Sequence, residues 1–266
     1  MGRPFRLAGD TFEHLHRFLE SSPPLTGSLE VPDHCEPFRE LARDTWEHRA
    51  QAEFREVQVL SRFLVDVTSA GDPLDIYLAV ARDIEAATRQ CALSMRVCEA
   101  LGGRPELPRP VDLEHRHIAS EAPVVERALY TALTALAING ALSVAFIHDL
   151  RERCCQTAIK SVLDAAMSHE PQRMALRWAY VRMSLERFPA EALDHWRAVT
   201  RWVLEEQRQS MSGELGDIDP ALRRLGDWAD EGRIELGLFS AARQALVFEQ
   251  TLREVVEPRL AKLGLL

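Results

Sequence analysis

The chain has 266 residues, 46% hydrophobic and 27% charged, enough for one large domain or two small ones with a buried core. Its 32 basic and 41 acidic side chains leave a net charge of -9, which repels nucleic-acid phosphates and anionic lipid, so neither nucleic acid nor a membrane surface is an expected partner. No apolar run approaches the roughly 20 residues needed to span a bilayer, the start MGRPFRLAGD lacks an apolar signal core, and five scattered cysteines are odd in number, which together point to a reduced, cytoplasmic protein.

Taken in chain order, the sequence reads as helix after helix, with no sustained strand-type alternation. A short helix over Thr11 to Glu20 is closed by SSPPLTG, and a long one runs from Pro37 to Ala70, ended by Gly71-Asp72-Pro73. Pro73 opens the next helix, which Gly102-Gly103 stops after Leu101. A Pro-rich crossover follows, then long helices over Pro123 to Arg153 and Thr157 to Phe188. Beyond Pro189 the pattern predicts a helix to Gln209, a loop SMSGELGDID, a short helix from Asp219-Pro220 to Ala229, and a last helix from Ser240 to Leu263.

Four long helices in two hairpins describe a four-helix bundle, so the expected fold is all-α, an antiparallel bundle over 37–188. A 1–36 extension precedes it, and a helical 189–266 extension packs on it or at a dimer interface. Heptad spacing assigns the inward faces: Trp46, Ala50, Glu53, Val57, Leu60, Leu64 and Val67; then Leu74, Leu78, Ala81, Glu85, Thr88, Ala92 and Met95. The third helix presents Leu129, Leu133, Leu136, Gly140, Ser143, Ile147 and Leu150, and the fourth Leu163, Ala166, Glu170, Arg173, Arg177 and Tyr180. Carboxylates thus recur on the apolar seam.

The stretch WEHRAQAEFREVQVLSRFLVDVTSAGDP, with Trp46, Arg49 and Ala50 ahead of Glu53, resembles the first-ligand helix of bacterial ferritin-like domain proteins of the di-iron carboxylate superfamily. The resemblance covers Arg43 to Phe188 and implies Glu from two helices with Glu-x-x-His from the other two. Carried over by position, Glu53, Glu85 and Glu170 are kept, whereas Thr88 and Arg173 stand where the histidines belong and Gly140 where the third helix should offer its Glu. A guanidinium binds no cation, so the expectation is no metal and no cofactor, with Arg173 as counter-ion to the surviving carboxylates. Pro171, in the same HEPQR stretch, kinks the fourth helix beside the site.

Plainer alternatives stand beside these. The glutamates can be solvated surface carboxylates, and Cys91 and Cys98 small core residues rather than a redox pair. His148, with His115 and His117 in the crossover, is the fallback ligand for a rebuilt mononuclear site. Two functions are expected. The first is a metal-free pseudoenzyme acting as a scaffold, regulatory or partner-binding subunit, with a protein partner or self-association as a dimer. The alternative is an oxidoreductase or small-molecule-binding protein using an atypical iron site or the vacated pocket.

Overall fold

The computed structural model describes residues 36–108, 121–168, 170–216 and 234–266. The protein is mostly helical, with no strand among the described residues, and its fold class is all-α. The expected helices over Thr11 to Glu20 and Asp219 to Ala229 lie outside the described residues.

Helix α1 (Glu36–Ser69) and helix α2 (Leu74–Ala100) form an antiparallel hairpin packed along its length. The turn between them is pinned from afar: Tyr180 donates its hydroxyl hydrogen to Asp72 Oδ2 at 2.7 Å, and Arg187 pairs with the other carboxylate oxygen. The hairpin is tight because small residues face across it. Cys91 Sγ donates to the Ala50 carbonyl at 3.3 Å and Cys98 Sγ to that of Arg43, so both thiols serve as core residues. Burial pushes their pKa values up to about 12 and about 11.

Helix α3 (Val124–Arg153) is continuous, but Ala132–Asn139 is wound as a π-helix. Its length and apolar composition are enough to cross a membrane, and 61% of its most apolar window is buried inside the protein. It packs on α1 and on the two helices that follow.

The expected single helix over Thr157 to Phe188 is instead two, α4 (Thr157–Met167) and α5 (Glu170–Leu185). Pro171 is the second residue of α5, where a missing N–H costs nothing; the helix does not bend around the proline but restarts at it. Helix α6 (Leu193–Gly216) runs through the expected SMSGELG loop. Helix α7 (Ala241–Thr251), capped by Ser240 Oγ accepting from the Arg243 N–H, continues through a π turn, Leu252–Val256, into Glu257–Lys262. Its buried stripe is Phe248, Leu252, Val256 and Leu260. Leu246 and Val255 are exposed.

Two apolar cores result among the described residues. One gathers Leu60, Phe63 and Val67 with Leu129, Leu133, Trp178, Trp196 and Phe248. The other gathers Phe38, Trp46, Leu93, Val97, Ile159 and Leu163 with Leu236 and Leu238. The segment 234–240 closes the second core: Trp46 Nε1 donates to the Leu236 carbonyl at 2.8 Å and Arg49 to that of Gly237 at 2.6 Å. Gly237 has φ +70°, and a Cβ there would stand 3.0 Å from Trp46 and 3.1 Å from Ile159, so position 237 needs glycine twice over. Along α1, Phe38 to Trp46 belong to one core and Leu60 to Val67 to the other, and Glu53 and Glu56 stand between them.

Candidate functional site

At that level α1, α2 and α5 contribute four carboxylates, and α5 contributes two guanidinium groups. Arg177 is 5% exposed and reaches Glu56 at 2.7 Å and Asp83 at 3.1 Å, and it donates to the Leu136 carbonyl at 3.3 Å. Arg173, one turn earlier, pairs with Asp83 at 3.0 Å, with Glu56 at 3.5 Å, and with Glu170. Asp83 and Glu56 are each shared by both arginines, so the group is a closed network rather than a set of pairs.

Gly140 faces the same network from α3. A Cβ built on it would lie 2.7 Å from Arg177 Nη1 and 3.4 Å from the Met174 sulfur. Arg177 therefore occupies the space that a third-helix side chain would take. The π winding of α3 fits this arrangement, since the carbonyl that Arg177 uses, Leu136, lies within it.

The charges do not balance at face value: four carboxylates, Glu53, Glu56, Asp83 and Glu170, meet two guanidinium groups. Burial pushes two of the carboxylates toward the neutral form. Burial, with Glu56 beside it, raises the Glu53 pKa to about 8 against the pull of Arg173 and Arg177. Burial likewise raises that of Glu170, opposed by the same two arginines. Arg177 moves the other way from a buried base, because Glu56, Asp83 and Glu170 outweigh its desolvation and raise its pKa. Arg49, stacked on Trp46 at 4.5 Å and desolvated, has its pKa lowered to about 10, with Glu53 opposing the shift.

Of the sequence-derived positions, Glu53, Gly140, Glu170 and Arg173 are brought together. Glu85 is not: it is exposed and pairs with Arg89 one turn along its own helix at 3.1 Å. Thr88 is exposed as well, its hydroxyl donating to the Ile84 carbonyl at 2.8 Å. The inward face of α2 is instead Ile76, Val80, Asp83, Ala87, Cys91, Ser94 and Cys98, so Asp83 takes the place assigned to Glu85. The reason is steric: the small residues of this stripe let α2 lie close against α1, which the Leu74–Leu78 stripe would prevent. Ser143 and His148 on α3 are exposed. Glu56 was missed, although it lies three residues from Glu53 on the same face.

The donor set does not fit a di-iron unit. Two permanently cationic side chains stand among the carboxylates, and among the described residues no imidazole joins them. Among the described residues no group of three or more His, Cys, Asp or Glu is arranged to hold a metal ion. The open space beside Asp83 and Arg177 is about 20 Å³, bounded by Leu60, Phe63, Val80 and Leu136, room for about one water. A larger surface groove of about 410 Å³ lies elsewhere, between Tyr130, Thr134 and Asn139 of α3 and Trp202, Glu206 and Ser210 of α6. Comparison with protein-family models, with curated proteins and with solved structures finds no match.

Proposed function

We propose that this chain is a ferritin-like four-helix bundle, extended at both ends, in which two guanidinium groups stand in for a dinuclear metal centre. It acts without catalysis of its own, as a scaffold, regulatory or partner-binding subunit. The observation that carries this reading is the seating of Arg177: its guanidinium bridges Glu56 and Asp83 from two helices and fills the space in front of Gly140 on a third. Positive charge that a metal would bring is thereby supplied by the chain itself. The alternative, small-molecule chemistry in the vacated core, has little support, because the space left there is about 20 Å³.

The test is metal analysis of the full chain purified from medium supplemented with iron and manganese, together with oxygen-dependent Fe(II) oxidation. Metal well below one ion per chain, with oxidation no faster than in buffer, is the expected result. Two ions per chain with accelerated oxidation would overturn the reading.

A further inference from the structure

The groove of about 410 Å³ between α3 and α6 is of a size that small ligands occupy. Its walls follow from helical spacing. On α6, Trp202, Glu206 and Ser210 stand four residues apart and share a face, with the buried Val203 beneath them. On α3, Tyr130 and Thr134 are likewise four apart. Asn139 follows five residues later, a step that in an α-helix would turn it away by about 140°. The π winding of Ala132–Asn139 stacks residues at an interval of five instead, and so brings Asn139 onto the groove.

The lining is rich in acceptors and poor in positive charge. Among the described residues Glu206 is its one charged side chain, and the nearby Arg208 stands outside it, paired with Glu257 at 2.8 Å. Thr134 has already given its hydroxyl hydrogen to the Tyr130 carbonyl, at 2.9 Å, so it offers the groove lone pairs alone. Asn139 does not spend its side chain on capping the helix that follows, and its amide oxygen is a further acceptor. Trp202 adds an indole, whose face attracts cations. A ligand that suits a carboxylate, neutral acceptors and an indole carries positive charge and N–H donors together.

We propose that this groove binds a primary alkylammonium ion, such as an aliphatic diamine, with an ammonium group against Glu206 and the alkyl chain along Trp202. A quaternary ammonium lacks the N–H donors that Thr134 and Asn139 call for, and an anion would meet Glu206 with no cation to hold it. The net charge of -9 draws such a cation toward the protein, but the lining selects where it stays. The site shares only the π stretch of α3 with the buried arginine centre and does not rest on the functional reading: metal content tests one, amine binding the other.

Isothermal titration calorimetry of the full chain with putrescine tests the proposal, with butanediol as a probe lacking charge and tetramethylammonium as one lacking N–H donors. Saturable binding of putrescine with Kd below about 1 mM is expected, and none of the other two. Glu206→Gln should weaken putrescine binding roughly tenfold or more, and Asn139→Ala a few fold, each with an unchanged circular dichroism spectrum. Glu205→Gln removes the same charge one residue away, outside the lining, and should leave binding as it is. No saturable binding of putrescine, equal binding of butanediol or tetramethylammonium, or equal weakening by Glu205→Gln and Glu206→Gln would each overturn the proposal.

Discussion

Arg177 and Arg173 sit one turn apart yet differ in how much of their environment they hold. Arg177 is 5% exposed and grips two carboxylates and a carbonyl, so Arg177→Met should strand Glu56 and Asp83 and cost about 3–5 kcal/mol. Arg173 is 15% exposed, and Arg173→Ala should cost less, about 2–3 kcal/mol. Thr88→Val, on the outer face, should stay within about 0.5 kcal/mol. Urea unfolding at pH 7.5 ranks the three, and equal effects for Arg177 and Thr88 would remove the buried network from the account. Glu53 sets a pH dependence of definite sign. Its pKa is raised from an ordinary 4.5 to about 8, so its contribution to stability is fully present below 4.5 and is lost as pH rises through 8. Glu53→Gln removes that loss. The variant should gain on the wild type steadily between pH 5 and pH 9, reaching about 1–3 kcal/mol at the upper end, and a constant difference across the range would contradict the raised pKa.

For the helices, periodicity located the elements better than it oriented them. Gly71-Asp72-Pro73 and Gly102-Gly103 gave the ends of α1 and α2 to within a residue or two, because glycine and proline act on the backbone locally. The face of α2 was not legible in the same way. Two stripes of helical spacing compete there, and the one with larger apolar residues points outward because Cys91, Ser94 and Cys98 pack closer to α1. The choice between them depends on a neighbour rather than on α2 itself. Consequently the centre was half legible: Glu53, Gly140, Glu170 and Arg173 converge as expected, while Asp83 and Glu56 had to be found by folding the chain. The break between α4 and α5 was readable only as a proline signal. Pro171 begins a helix here, so Pro171→Ala should lower stability by about 0.4–1 kcal/mol by freeing the unfolded chain. Were Pro171 interior to one long helix, the same change would stabilise by about 3 kcal/mol, and thermal melts distinguish the two signs.

Across the whole molecule, the C-terminal segment is not an appendage. Leu236 and Leu238 are 0% and 3% exposed beneath Phe38 and Trp46, and Phe248 and Leu252 enter the other core. A chain ending at residue 233 should therefore lose its near-ultraviolet dichroism and bind a hydrophobic dye while keeping much of its helix, as expected when packing fails before secondary structure. Retention of a sharp cooperative melt would show that both cores close without that segment.

The π winding of α3 has a consequence for chain length. A π turn holds one more residue than an α turn, so the extra residue is absorbed locally, and the helix on either side keeps its bearing. Leu129 before it and Gly140 after it are both buried. Removing Ala135 should let the stretch relax to ordinary α-helix with the flanking faces unturned, at the cost of the Leu136 carbonyl now given to Arg177. Removing one residue from the middle of α1 has no such slack to draw on and would swing Leu60 and everything after it by about 100°. Comparing expression and melting of the two deletions measures the difference. Helix α7 carries a π turn as well, but the one in α3 sits where an arginine has found a use for its carbonyl.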